Sequence, residues 1–317
     1  MDMHIIPNMD HGLPNPMSTC YVNSFIQALM ATKAFPEACI EAEDPFGFIK
    51  LVTKDKQELK QHYFRMMKTL QKELPWMNVF EFNDVHEFAI MCLDYMHEKS
   101  RSTAPVSAAP VSAARKSAYM KLKTQCDQEL MKNTSAFSHK FYSTMVLQTD
   151  CGNCGEINLN IELALTFDIS NGLGVESDFE KLLAHHFRSM KVPDWKCDKC
   201  NETHPESTRY TYVWRPADVV LVLLKRTRYK NGRARKLTAE VDMPFELNID
   251  KYVLSREDNC RYKMRSLCTH FGGLEHGHYT ASVVTEVDKL KEYDDMKISE
   301  VDNIDKNNVY MIVYEKI

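Results

Sequence analysis

The sequence predicts an α+β chain, mainly helical in its first part and mainly β-stranded in its second. Two periodicities carry that expectation, and a pair of Cys-x-x-Cys motifs adds metal-braced strands to it. From Tyr21 to about Glu98 apolar residues recur three and four apart, as in Phe25, Ile26 and Leu29 and again in Phe88, Met91, Cys92 and Tyr95, the spacing of a helix with one buried face. After Phe141 the texture alternates and is rich in β-branched and aromatic residues, as strands are. The 317 residues are enough for a sizeable core. We expect a single domain over 1–317: about 12–140 mainly helical, about 141–317 mainly β, with the metal-holding segments within 141–215.

Taken in order, Met1–Gly12 lacks a basic region followed by a long apolar segment, and no apolar run approaches the roughly 20 residues of a membrane span. An intracellular protein, cytoplasmic or nuclear, with no membrane partner, is expected. Next comes GLPNPMSTCYVNSFIQAL, where a turn-forming run (Pro14, Asn15, Pro16, Ser18) leads into Cys20 at the start of an apolar-faced helix. A thiol there feels the unpaired N–H groups of the first turn, which favour the thiolate. Residues 101–118 carry a tandem APVSA repeat, too poor in large apolar side chains to order itself, and are expected as a flexible insertion. Strands are expected in FYSTMVLQTD, NLNIELALTFDIS, DVVLVLLKRTRY, MRSLCTHF, HYTASVVTEV and VYMIVYEKI, with a hairpin turn at Asn231-Gly232.

Composition excludes more than it names. A net charge of −4 with 26% charged residues disfavours a nucleic-acid partner. Ten cysteines without a secretory leader point to reduced thiols in metal or catalytic roles. Cys151, Cys154, Cys197 and Cys200 form two C-x-x-C pairs 42 residues apart. Each is flanked by turn residues and strand-like segments, which favours one closed structural zinc site over a redox pair. The run KRTRYKNGRARK holds seven basic residues and no acid between Lys225 and Lys236. It reads as a solvated hairpin, since nucleic acid needs a broader basic surface.

A cysteine hydrolase needs a base beside its thiol, a group to orient that base and donors for the oxyanion. HFGGLEHGHYTASV offers His278 between Gly277 and Tyr279, and EYDDMKI offers Asp294 and Asp295 sixteen residues later. Singly each has a plainer reading: a buried thiol is usually core, a histidine structural, an Asp pair a solvated turn. The order Cys, His, Asp raises the odds, and the local sequences raise them further.

Those sequences resemble the ubiquitin-specific proteases, papain-like deubiquitinases. Gly12, Leu13, Asn15, Thr19, Cys20, Tyr21, Asn23 and Ser24 match the family's cysteine box, YKMRSLCTHFGGLEHGHYTASV its histidine box, and NDVHEF, with Asp84, Glu87 and Phe88, a third segment. The resemblance implies a papain-like fold with a helical thumb, a β palm and zinc fingers. It implies Cys20 as nucleophile, His278 as general base and acid, and Asp294 as its orienting group with Asp295 in reserve. Asn15 is then an oxyanion donor. Asp84, Glu87, Gly277 and Tyr279 contact substrate, and the segment 271–277 closes over a Gly-Gly tail. The implied substrates are ubiquitin and ubiquitinated proteins, and the implied partners include activating proteins. Departures are Met17 for glycine, Asn83 for Gln, Thr227 for Phe and a missing Trp before the Asp segment. Met17 is expected to constrain the oxyanion loop and lower activity. Two other readings stay open: a scaffold of the same fold that binds ubiquitin without turnover, and a zinc-ribbon nucleic-acid binder.

Overall fold

The computed structural model describes residues 9–101, 118–169, 174–230, 232–255, 259–274, 276–285 and 289–317. The expected insertion at 101–118 falls almost wholly outside them, as does Asn231. The helical part comprises α1 (Cys20–Met30), α2 (Ala34–Glu41), α3 (Lys56–Glu73), α4 (Val85–Lys99), α5 (Ala118–Lys132) and α6 (Ser138–Phe141). The β part opens with β1 (Ser143–Asp150), β2 (Ile157–Ala164) and β3 (Thr166–Ile169), followed by α7 (Phe179–His186). It continues through β4 (Met190–Lys191), β5 (Thr208–Arg215), β6 (Val219–Leu224), β7 (Thr227–Lys230), β8 (Arg233–Lys236) and β9 (Glu246–Asn248). The last strands are β10 (Arg261–Gly272), β11 (Gly277–Val284), β12 (Leu290–Asp294), β13 (Lys297–Val301) and β14 (Val309–Lys316). Among the described residues no helix is long and apolar enough to cross a membrane.

The strands form two large sheets. A four-stranded antiparallel sheet runs β2-β1-β5-β4, with Leu147 opposite both Asn160 and Thr211. The main sheet runs β13-β12-β11-β10-β14-β6-β3, with β9 also on β10. Its pairings are antiparallel except β3 with β6. The strand β5, TRYTYVWR, is not among those the alternation predicts, because polar and apolar residues share each of its faces. The β6 segment VVLVLL is apolar throughout for a reason visible in the packing: Val219 and Leu221 face the helical core, while Val220, Val222 and Leu224 face the core under α7. A strand buried on both faces has no polar side to alternate with.

Every residue of α1 is buried. It lies between α4 on one side and β10, β11 and β12 on the other, so the helical and β parts meet on it. Polar ties fix its height: Ser266 Oγ donates to Ala28 O at 2.7 Å and Cys268 Sγ to Ser24 O at 3.6 Å. The last strand also reaches the helices. Buried Glu315 accepts from Lys33 N (2.7 Å) and Ala34 N (3.1 Å) at the start of α2, with Arg265 Nε at 2.9 Å, a carboxylate placed where first-turn donors need one.

The basic run divides in the structure. Arg226 is only 1% exposed and donates to the carbonyls of Val309, Leu237, Ala239 and Lys306. Burial pulls its pKa down to about 10, which leaves it charged at neutral pH. It ties the segments before and after β7–β8 to the last strand. Arg226→Met would remove a donor from four carbonyls, of which Lys306 O keeps Val241 N at 3.3 Å, a loss on the order of 3 kcal/mol. Thermal unfolding should show a fall of several degrees, and an unchanged midpoint would mean that these carbonyls find other donors.

Candidate active site

The helix starts set the electrostatics of the site. α3, α4 and α7 each begin on an aspartate, Asp55, Asp84 and Asp178, whose side chain accepts first-turn N–H groups, and α2 borrows Glu315. At α1 the N-cap is Thr19, with no side-chain cap. Its first-turn donors and the positive end of its dipole are left facing Cys20, which opens the helix and is 2% exposed. A thiolate or oxyanion is what such an end stabilises.

Opposite it stands His278 at the start of β11. Its Nε2 lies 2.6 Å from Asp294 Oδ1 at the end of β12, which leaves Nδ1 for Cys20. Contact with the Cys20 side chain first, and the Asp294 bond after it, together raise the imidazole to about 9 against the pull of burial. An imidazole held between a thiol and a carboxylate is the arrangement of a thiol–imidazole pair.

Asp295 does something different from Asp294. Its carboxylate accepts from Asn15 Nδ2 (2.8 Å) and Asn23 Nδ2 (2.7 Å), and its carbonyl accepts from Leu13 N (3.0 Å). Asn15 in turn accepts Thr19 N at 2.9 Å. The loop before Cys20 is therefore pinned to the turn after β12. A Cβ on Gly12 would sit 2.2 Å from Asp295 O, so only glycine fits there. Asn15 keeps one amide hydrogen beyond the bond to Asp295. Tyr63, which no sequence signal singles out, places its hydroxyl 2.8 Å from both Thr19 Oγ1 and Asn23 Oδ1.

The remaining sequence-derived residues separate. Glu87 is exposed. Asp84 is half-buried and bonded within the fold: Oδ1 caps α4 and Oδ2 accepts from Tyr310. Tyr279 is 2% exposed and stacks on Phe82 at 5.9 Å. Gly277 permits the close approach of β10: a Cβ would lie 2.1 Å from His270 Nε2 and 2.5 Å from Phe271 O. His270 itself has no hydrogen-bond partner at Nε2 among the described residues and is pushed down to about 4 by burial and then Lys236. It is a neutral ring between Phe82 and Tyr279. Met17 is 58% exposed, and the positive φ of the loop falls on Ser18 (+50°). The expected constraint from a missing glycine at Met17 has no basis in this geometry.

At the outer end of β1 and β5, Cys151, Cys154, Cys197 and Cys200 bring their sulfurs within 4.8 Å of one another. Cys151 to Cys200 is 3.8 Å and Cys154 to Cys197 is 3.7 Å. Four thiolates around zinc at about 2.3 Å stand roughly 3.8 Å apart, so the set fits a tetrahedral ion. Both knuckles turn alike: Gly155 N returns to Cys151 O, and Asn201 N to Cys197 O. Gly155 and Asn201 both have left-handed backbones, at +69° and +60°. The backbone N–H of Cys154 draws the Cys151 thiol down to about 6.

Similarity to known proteins follows the same lines. The solved SAGA DUB module of Ubp8, Sgf11, Sus1 and Sgf73 bound to monoubiquitin superposes with a TM-score of 0.77 at 18% identity, over 98% of this chain and 70% of that one. The same module bound to ubiquitin aldehyde gives 0.76 at 17%, with the same coverage. At such identity the likeness speaks for the fold. Ubiquitin carboxyl-terminal hydrolase 36 of Drosophila simulans is 22% identical over 331 aligned positions, covering 96% of this chain and 31% of the fly protein. Ubiquitin carboxyl-terminal hydrolase 5 of Arabidopsis thaliana is 31% identical over 133 residues, covering 39% of this chain and 14% of the plant protein. The chain thus spans a third or less of these relatives. The family model for ubiquitin carboxyl-terminal hydrolase matches residues 11–314, nearly everything from the loop before Cys20 to the last strand, and on that match the chain belongs to the ubiquitin carboxyl-terminal hydrolase family.

Proposed function

We propose that this protein is a thiol-dependent deubiquitinase that cleaves the isopeptide or peptide bond after the C-terminal glycine of ubiquitin. The observation that carries the reading is the convergence of Cys20, at the uncapped start of α1, with the His278–Asp294 pair, whose Nε2–Oδ1 distance is 2.6 Å. The Cys20 thiolate attacks the glycine carbonyl carbon. The Cys20 N–H and the remaining amide hydrogen of Asn15 receive the oxyanion. His278 gives its proton to the leaving amine, then takes one from water as the thioester hydrolyses. Asp294 holds the ring, and Asp295 holds Asn15.

Substrate bulk is met elsewhere. The four-cysteine site would hold one structural zinc that fixes the two knuckles and lends no chemistry to the reaction. On the finger sheet Ile157, Leu159 and Tyr210 share one face, paired through Asp150 and Gln148. Ile157 and Leu159 are 56% and 41% exposed, an apolar strip suited to a folded partner such as ubiquitin. Glu87 is the acidic contact for the tail. A cytoplasmic or nuclear setting suits reduced thiols, and activating partner proteins are part of the proposal, as Ubp8 stands in a module with Sgf11, Sus1 and Sgf73.

Ubiquitin carrying a C-terminal electrophile should label Cys20 alone, and Cys20→Ala should abolish labelling; a label on another cysteine would overturn the assignment. With a fluorogenic ubiquitin amide, kcat/KM should fall as pH rises through about 9, where the raised His278 loses its proton, and Asp294→Asn should move that limb to lower pH. Asp295→Ala, which frees Asn15 and Asn23, should lower kcat by roughly 10²-fold with KM little changed. A change confined to KM would place Asp295 on the substrate instead. Metal analysis should find one zinc per chain and none in Cys197→Ser, with chelation raising KM for ubiquitin substrates before it slows reaction of Cys20 with a small electrophile.

A further inference from the structure

Of the basic run, Arg226 is buried, Lys225 pairs with Asp168 at 2.7 Å, and Lys236 Nζ donates to the carbonyls of His270 and Gly272. Beyond these roots stands a two-stranded ribbon in which Arg228 faces Arg235, Tyr229 faces Ala234 and Lys230 faces Arg233. The two-residue period puts Arg228, Arg233 and Arg235 on one face and the 77% exposed Tyr229 on the other. Like charges directly opposite each other destabilise a strand pair. No carboxylate among the described residues pairs with any of the three arginines, although each offers a planar fork matched to carboxylate oxygens. The ribbon is rooted beside the reaction centre: its Lys236 holds the end of β10, where Phe271 and Gly272 pair with His278 and Gly277.

We propose that this arginine face binds an acidic segment of the protein to which ubiquitin is attached, making conjugates with an Asp/Glu-rich stretch near the linkage preferred substrates. The inference rests on the deubiquitinase reading above. Nucleic acid is the weaker occupant, because three arginines on one short ribbon of a chain with net charge −4 fall well below the roughly 6–10 phosphate contacts of a typical binder.

The test compares hydrolysis of ubiquitin joined to an Asp/Glu-rich peptide, to the same peptide with Asn and Gln, and to a small fluorophore. Wild type should favour the acidic conjugate over the neutral one by roughly tenfold at low salt, mostly through KM. The preference should vanish at about 0.5 M salt and in Arg228→Gln/Arg235→Gln, while hydrolysis of the fluorophore conjugate stays unchanged. Equal processing of the two peptide conjugates by wild type would overturn the proposal. So would an equal loss on all three substrates in the variant, which would put ubiquitin itself on the ribbon. Fluorescence anisotropy of the free acidic peptide with the intact Cys20→Ala chain keeps the two readings apart. Binding lost in the arginine variant supports the ribbon even if no conjugate is cleaved, while absent binding, or binding of a labelled DNA duplex in its place, refutes it.

Discussion

Asp295 accepts the amides of Asn15 and Asn23 while its own carbonyl accepts Leu13 N, and the geometry of the reaction centre depends on that joint. Cys20 belongs to a helix wedged between α4 and the strands β10, β11 and β12, and His278 and Asp294 belong to strands. Burying α1 on every side sets its axis and height but leaves the loop before Cys20 free to swing. The Asp295 bonds remove that freedom, and Asp295 accepts a left-handed backbone of +52° to make them, a conformation an aspartate tolerates better than most residues.

The helix caps show the same economy in reverse. At α2, α3, α4 and α7 an acidic side chain closes the first turn, from Glu315, Asp55, Asp84 and Asp178. α1 lacks such a cap, so its donors stay available to whatever charge develops at Cys20. An uncapped end costs about 1 kcal/mol, which the complete burial of α1 against both parts of the molecule easily offsets. Neutrality is kept in the same neighbourhood: His270, next to the reacting imidazole's strand position, is held uncharged by burial, so it adds no competing positive charge to the pair.

Much of this was legible in the sequence where the signal is local. The helix start at Cys20, the His278 segment and the two Cys-x-x-Cys knuckles are each fixed by a few adjacent residues, and the helical-to-β change follows from periodicity. What was illegible depends on pairing across the fold. Neighbouring aspartates look interchangeable in sequence, yet alternation along β12 and the turn after it sends Asp294 to the imidazole and Asp295 to two asparagines. Nothing beside Asp84 or Tyr279 in sequence shows that Tyr310 bonds the one and Phe82 stacks on the other, since both partners come from distant segments. Arg226 stands in an unbroken basic run, and nothing adjacent tells that it turns inward to four carbonyls. Met17 looked like a steric burden because a loop's positive φ cannot be assigned to a residue from sequence; Ser18 carries it.

Asn15 and Asp295 are 280 residues apart, and that separation has a meaning in time as well as space. A ribosome adding about 5–20 residues per second exposes Cys20 well before the strands that supply His278, Asp294 and Asp295, an interval on the order of tens of seconds. Throughout it the helical part can collapse around α1, while Cys20 has neither the imidazole of His278 beside it nor the Asp295 bonds that pin the loop before it. On the reading proposed above, reactivity is then conferred by strands made long after the helix that carries the thiol.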